Sequence, residues 1–124
     1  MQQTLKDIVT ESDIKLLVDS FYQKVNDDEL LSPIFNDLAH VDWHEHLPIM
    51  YKFWGSLLLR NNSYQGHPWP KHAVLPVGSA HFSRWLALFK KTVDDHFTGP
   101  KAVEAKNTAA SIADTFQNRM HILR

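Results

Sequence analysis

The sequence predicts an all-α fold, and three observations support this prediction. Five segments place apolar residues three and four positions apart, which is the period of an amphipathic helix. Proline, glycine and asparagine separate these segments. The chain also lacks internal repeats and low-complexity tracts. With 124 residues, the whole chain (1–124) is expected to form one domain with one core.

Composition excludes several classes of function. Hydrophobic residues make up 44%, charged residues 22%, and the formal net charge is −1, so we expect neither disorder nor a nucleic-acid partner. Cysteine is absent, which excludes disulfides, thiolate nucleophiles and thiolate-bound metals and suits a reducing cytoplasm. The polar N-terminus and the lack of a long apolar run predict a soluble, cytoplasmic protein with no membrane partner.

The first helical pattern has Thr10 or Ser12 as candidate N-caps and places Tyr22 on its apolar stripe. A short helical turn through Leu30 and Leu31 should follow. It is predicted to end before Pro33, because the residue preceding a proline is disfavoured in helical geometry. Ile34 and Phe35 should then turn inward.

The second helical pattern carries His46 at the N-terminal end of its apolar stripe. Asp42 to Glu45 resembles a capping box, and a helix that begins there would contain Pro48. A proline inside a helix removes one backbone hydrogen bond, so we predict a kink near His46.

Residues 60–78 form a long interval that holds three of the six prolines and two of the four glycines. At most a short helical turn is expected there, around His72. Loops of this length in compact domains are usually functional or disordered, and Trp69, Val74 and Leu75 argue against disorder.

The next helical pattern runs from about Ser79 to Phe97, and Gly99-Pro100 is its stop signal. Pro100 can occupy the first turn of a last helix. This helix carries an alanine-rich face that permits close helix packing and extends to Met120.

His72 is the candidate ligand of a haem iron. One neutral imidazole suffices to hold haem when apolar side chains enclose the macrocycle, and the chain supplies such side chains. The candidates for these walls are aromatic: Phe35, Phe53, Trp54, Trp85 and Phe89. The alternative is a loop histidine that is merely solvated or hydrogen-bonded.

Tyr22 and Trp85 can each donate a hydrogen bond to a diatomic ligand. The alternative for both is a core aromatic whose polar tip donates to a backbone carbonyl. His46 can gate ligand access, donate to the ligand, coordinate the iron itself, or simply lie at a helix boundary. Haem propionates would find basic partners near the presumed rim: Lys52, Arg60, Lys71 and Arg84.

Other chemistries find little support. The sequence has no phosphate-binding glycine loop, no zinc helix of the His-Glu-x-x-His type and no nucleophile elbow.

At these residues the sequence resembles the truncated haemoglobins, and specifically the third group of that family. The resemblance covers nearly the whole chain. The matching stretches are Phe21-Tyr22-Gln23-Lys24-Val25, Pro33-Ile34-Phe35-Asn36, Trp43-His44-Glu45-His46-Leu47-Pro48, Phe53-Trp54, Tyr64-Gln65-Gly66, Lys71-His72 and His81-Phe82-Ser83-Arg84-Trp85-Leu86. The glycine pairs that mark loops of the other groups are missing.

The resemblance implies a truncated globin fold, in which a two-on-two helical sandwich encloses a b-type haem and the proximal segment is mostly loop. It implies that His72 is the proximal iron ligand and that Phe35 packs on the haem. The residues implied for the distal, ligand-binding side are Tyr22, His46, Met50 and Trp85.

Two functions are therefore compared. The first is a haem protein that binds oxygen, nitric oxide and carbon monoxide tightly, because two or three donors would surround the ligand. Tight binding favours redox chemistry on nitric oxide or peroxide over oxygen transport, and such chemistry would need an external reductase. The second is a cofactor-free helical interaction module in which His72 is incidental.

Overall fold

Four α-helices and one short π-helical segment lie in the part of the chain that the structure, a computed structural model, describes: residues 5–38, 40–60 and 77–119. The α-helices are α1 (Glu11–Asp27), α2 (Trp43–Leu58), α3 (Ser79–His96) and α4 (Pro100–Arg119), and the π-helical segment spans Pro33–Leu38. Within these ranges, β-pairing is limited to one parallel bridge between Lys6 and Phe97. The predicted all-α class is confirmed.

Helix α1 packs against two other helices. It contacts both α2 and α3, while α3 packs along α4 and α2 also touches α4. The predicted apolar stripe of α1 is buried along its whole length and consists of Ile14, Leu17, Val18, Phe21, Tyr22 and Val25. Tyr22, the residue of α1 considered for the site, therefore faces the core rather than the solvent.

A capping box begins α1 and selects Thr10 over Ser12 as the N-cap. The hydroxyl of Thr10 accepts a hydrogen bond from the Asp13 backbone N–H at 3.2 Å, and the Asp13 carboxylate accepts one from the Thr10 N–H at 3.0 Å. Lys6 Nζ lies 2.8 Å from the same carboxylate. Asp13 thus joins the N-terminal segment to the start of α1.

The pKa of Asp13 predicts a loss of stability in acid. Burial acts to raise this pKa, but the Lys6 ammonium and the N–H groups of Val9 and Thr10 outweigh burial and lower the pKa from 3.8 to about 2. A depressed carboxyl pKa stabilises the fold above the unfolded pKa, and this contribution, about 2 kcal/mol, is lost as the pH falls from about 4 towards 2.

Urea denaturation of the parent and of Asp13→Asn between pH 2 and pH 7 measures this contribution. The variant should have a lower free energy of unfolding than the parent at pH 7, and the difference between the two free energies should narrow below pH 4. A difference that stays constant across this range would contradict the assignment.

The turn after α1 differs from the prediction. The predicted helical turn through Leu30 and Leu31 is present, since the Ser32 N–H donates to the Asp28 carbonyl at 2.9 Å. It does not end before Pro33, however, because a proline in the first turn of a helix loses no N–H that the helix needs, and the π-helical segment follows directly. Ile34 is buried and Phe35 is half-buried, so both turn inward as predicted. This segment brings Phe35 alongside α1 and the start of α2.

Helix α2 begins at Trp43 with Asp42 as its N-cap, whose carboxylate accepts from the His44 N–H at 3.1 Å. Pro48 lies inside the helix, which continues through it to Leu58. The carbonyl of His44 consequently lacks its usual intrahelical donor. The kink near His46 stays a prediction.

Helix α4 begins at Pro100, as predicted, but the residue that caps its N-terminus, Asp7, lies near the start of the chain. The Asp7 carboxylate accepts from the Lys101 N–H at 3.0 Å and from the Ala102 N–H at 2.9 Å. Burial alone would raise the pKa of Asp7, yet these backbone donors hold it below its usual value.

The predicted alanine face of α4 is confirmed by the burial of Ala102, Ala105, Ala109 and Ala113. Met120 lies outside the described residues.

Gly99→Ala is expected to lower the free energy of unfolding by about 2 kcal/mol or more. The backbone of Gly99 has φ +132°, and an added Cβ would lie 2.6 Å from Cγ of Asp7, so the substitution would displace the α4 cap. Thermal denaturation measures the loss. Gly78→Ala is the matched control, because its Cβ would meet nothing within 4 Å. Equal stability of the two variants would contradict the role of Gly99.

None of the helices in the described ranges is both long enough and apolar enough to span a bilayer.

Candidate functional site

Tyr22 places a phenol inside the core. Its side chain is only 5% exposed, because it faces inward from the buried stripe of α1. Burial raises the pKa of the Tyr22 hydroxyl above its ordinary value, since the phenolate would lose its hydration. The hydroxyl therefore stays protonated near neutral pH and is able to donate a hydrogen bond.

Two rings from the first turn of α2 pack against Tyr22. The ring centroids of Tyr22 and His46 are 5.2 Å apart with nearly perpendicular planes, and those of Tyr22 and Trp43 are also 5.2 Å apart. Trp43 and His46 lie one helical turn apart, so both point to the same side of α2. The imidazole of His46 is half-buried, and its ring centroid lies 5.5 Å from that of Trp43.

Phe35 completes this group. Its ring centroid lies 6.0 Å from that of Tyr22. The ring also stacks on Trp43, with centroids 5.9 Å apart and an angle of 27° between the ring planes. We name the four residues Tyr22, Phe35, Trp43 and His46 the tyrosine cluster. It combines apolar aromatic faces with two side chains, a phenol and an imidazole, that are able to bind a polar ligand.

A second aromatic group adjoins the tyrosine cluster through Phe21, whose ring lies 4.8 Å from Tyr22. Phe21 meets Trp85 and Phe89 edge to face at 5.7 Å and 5.2 Å. Phe89 in turn stacks against Trp54 at 4.7 Å and against Trp85 at 5.9 Å. Trp54 and Phe89 are fully buried, whereas Trp85 is half-buried. Trp85 thus lies one ring away from Tyr22.

The remaining residues of α2 proposed for the site lie next to these rings. Met50 and Phe53 are half-buried and pack against the core, and the Phe53 ring is 5.5 Å from Trp54. The structure therefore brings the predicted residues of α1, α2, α3 and the π-helical segment into one aromatic region. Lys71 and His72 lie outside the described residues, as do Tyr64, Gln65 and Gly66.

Two of the basic residues considered as propionate partners form ion pairs within the chain. Arg84 lies 2.5 Å from the Asp28 carboxylate, and Arg60 lies 3.6 Å from Glu104. Asp28 also accepts from the Leu31 N–H at 3.0 Å, so its pair with Arg84 ties α3 to the turn after α1. Burial acts to raise the pKa of Asp28, but these donors hold it below its usual value.

Sequence reasoning missed Trp43 and Asn36 as parts of the site. The indole Nε1 of Trp43 donates to Asn36 Oδ1 at 2.8 Å. Trp43 belongs to the helix-start signal and to a stretch that matches the family, and it precedes His46 by three residues and so shares its face. No local signal predicts the contact with Asn36, because the two residues are seven positions apart and an irregular turn lies between them.

The donor set of this region fits a haem group. Flat aromatic rings suit a macrocycle, an imidazole can ligate iron, and a buried phenol can donate to a ligand on the iron. Carboxylate pairs of the kind used in hydrolysis do not lie among the rings of the tyrosine cluster.

Comparison with known proteins identifies the class. The sequence profile of the bacterial-like globins matches residues 5–121. A group 3 truncated hemoglobin of Campylobacter jejuni is 32% identical over 117 residues, which cover 91% of this chain and 92% of that protein. The crystal structure of a group III truncated hemoglobin from Campylobacter jejuni matches with a TM-score of 0.84 at 31% identity, over 94% of this chain and 95% of that chain.

The chain belongs to the bacterial-like globin family. Within that family it is a truncated haemoglobin of group III, and both the predicted family and the predicted truncated globin fold are confirmed. Membership supports a haem-binding globin over the alternative of a cofactor-free interaction module.

Proposed function

We propose that this globin binds haem b through His72 and binds oxygen, nitric oxide and carbon monoxide tightly on the side of Tyr22. The observation that supports this most is the tyrosine cluster, in which a buried, protonated phenol lies against an imidazole and two flat rings. Haem, when bound, supplies an iron atom that takes up a diatomic ligand and exchanges electrons. The chain determines where that ligand lies and how strongly it is held.

Tyr22 is proposed as the main hydrogen-bond donor to the ligand. A ligand that gains negative charge is stabilised by a neutral O–H group, and each such bond contributes roughly 0.5 to 1.5 kcal/mol. Because Tyr22 is buried, water competes little for this donor. Trp85, an indole that can only donate, is proposed as the second donor.

His46 is proposed as the residue that controls access to this side. Its imidazole is half-buried at the start of α2 and packs against the Tyr22 ring. From this position it can shield the ligand, donate to it or approach the iron. Met50, one turn further along α2, is proposed to line the space beside the ligand.

The other residues are proposed to hold the macrocycle. Phe35 offers a half-buried ring next to Tyr22, while the rings of Phe53, Trp54 and Phe89 form an apolar wall. The roles of His72 as proximal ligand and of Lys71 as a propionate partner rest on their place in the sequence.

Tight binding suits redox chemistry on nitric oxide or peroxide better than oxygen transport, because transport needs ready release. Repeated turnover then requires electrons from an external reductase. The cytoplasmic location stays a prediction from composition.

An oxygen-binding measurement on the ferrous, haem-loaded protein tests this function. We expect half-saturation at sub-micromolar oxygen. Oxygen release should also be slow when it is followed by trapping the freed iron with carbon monoxide. Half-saturation at tens of micromolar with rapid release would instead indicate a transport protein and would contradict the proposal.

A further inference from the structure

Trp43 contacts every other member of the tyrosine cluster. Its ring centroid lies 5.2 Å from Tyr22, 5.5 Å from His46 and 5.9 Å from Phe35. A movement of this indole would therefore remove a packing surface from both the phenol and the imidazole. Both residues are proposed to face the ligand, whereas the indole N–H of Trp43 donates a hydrogen bond within the chain.

Asn36 supplies that hydrogen bond and is itself firmly held. Its Oδ1 accepts from Trp43 Nε1 at 2.8 Å. Its Nδ2 donates to Asn26 Oδ1 at 2.8 Å and to the carbonyl and hydroxyl oxygens of Ser32 at 3.1 Å and 3.2 Å. A single amide thus joins the end of α1, the π-helical segment and the first turn of α2.

The geometry of these contacts fixes the orientation of Trp43. Both polar groups of the Asn36 amide have partners, so the amide cannot flip without breaking at least two hydrogen bonds. The Trp43 indole has one donor, and Asn36 uses it. The hydrogen bond sets the direction of the Trp43 N–H, and the stacking on Phe35 sets the plane of its ring. Together they favour one side-chain rotamer of Trp43 over the others.

We infer that Trp43, anchored by Asn36, is a positioning residue that sets the orientation of the Tyr22 hydroxyl and the His46 ring towards the haem ligand. The inference rests on the proposed function, since it concerns the ligand side of that haem. In this inference Trp43 acts through its neighbours, because its one indole N–H group donates to Asn36.

Trp43→Phe tests the inference, because it keeps an aromatic ring and removes the N–H that Asn36 holds. We expect oxygen release from the haem-loaded variant to accelerate by roughly two- to ten-fold, the range that corresponds to one hydrogen bond of ordinary strength. The infrared C–O stretching band of its carbon monoxide form should broaden or split, because the donors then adopt several orientations. An unchanged rate together with an unchanged band would overturn the inference.

A double-mutant cycle with Tyr22→Phe separates positioning from a general loss of stability. If Trp43 acts through the Tyr22 hydroxyl, Trp43→Phe should change oxygen release by a smaller factor in the Tyr22→Phe background than in the parent. The same factor in both backgrounds would show that Trp43 acts independently of Tyr22, against the inference.

Tyr51→Phe serves as the matched control. The Tyr51 hydroxyl donates to Asp19, so this variant also loses an aromatic hydrogen bond between α2 and α1, away from the tyrosine cluster. Its oxygen release should equal that of the parent. An acceleration as large as that of Trp43→Phe would attribute the effect to helix packing in general and would overturn the inference.

A readout independent of ligand binding distinguishes failure of this inference from failure of the proposed function. In ¹H–¹⁵N spectra of the full chain, with and without added haem, the Trp43 indole signal is the one missing from Trp43→Phe. Asn36→Leu should shift this signal and speed its exchange with solvent. An unmoved signal overturns the anchoring even if haem binds, whereas absence of haem binding with a shifted signal overturns only the proposed function.

Discussion

His72→Gly is expected to lose haem. If His72 is the single proximal ligand, its removal breaks one iron–nitrogen bond, and a loss of about 3 kcal/mol corresponds to roughly a hundred-fold weaker retention of haem. Gel filtration of the reconstituted variant, followed by the ratio of Soret to protein absorbance, measures this loss.

Two controls make the result specific. His67→Gly alters a histidine of the same sequence interval and should retain haem as the parent does. Free imidazole added to His72→Gly should restore the Soret band, since it can occupy the ligand position that the substitution leaves open. Unaltered haem retention by His72→Gly would show that another residue holds the iron.

Tyr22→Phe is expected to accelerate oxygen release by roughly ten-fold, because it removes a hydrogen bond made by a buried hydroxyl. The substitution keeps the ring and its contacts with Trp43 and His46. Trp85→Phe should also accelerate release, through the loss of its indole donor. Stopped-flow mixing of the oxygenated protein with carbon monoxide gives the rates.

Carbon monoxide provides an internal comparison for these variants. It gains less negative charge than oxygen when bound, so its release should change by a smaller factor in Tyr22→Phe. Equal rates of oxygen release in the parent and in both variants would contradict the assignment of Tyr22 and Trp85 as donors.

Local chemistry allowed much of the fold to be predicted from sequence. Thr10 as a helix cap, Pro100 as a first helical residue and the alanine face of α4 all depend on residues close in the chain. Asp7 was not predicted, because it caps α4 from more than ninety residues away. The helical backbone after Pro33 was also missed, since a proline can end one helix or begin another.

The same distinction applies to the site. Tyr22 and His46 could be identified because each is a polar residue on an apolar helix face, and the structure brings their rings together. Asn36 is an ordinary polar residue in the sequence, and only the folded turn shows that it holds Trp43. Residue type and helical period indicate which side chains face inward, but partners across an irregular segment depend on the tertiary fold.

The absorption spectrum of the ferrous, haem-loaded protein, recorded before and after addition of carbon monoxide, tests the central claim most directly. The account predicts one haem per chain and a strong Soret band that shifts with carbon monoxide. The spectrum before addition also shows whether a sixth ligand, for which His46 is the candidate, coordinates the iron, because a six-coordinate ferrous haem has sharp, split visible bands. Haem that does not bind in a defined ratio, or a Soret band that carbon monoxide leaves unchanged, would contradict the account.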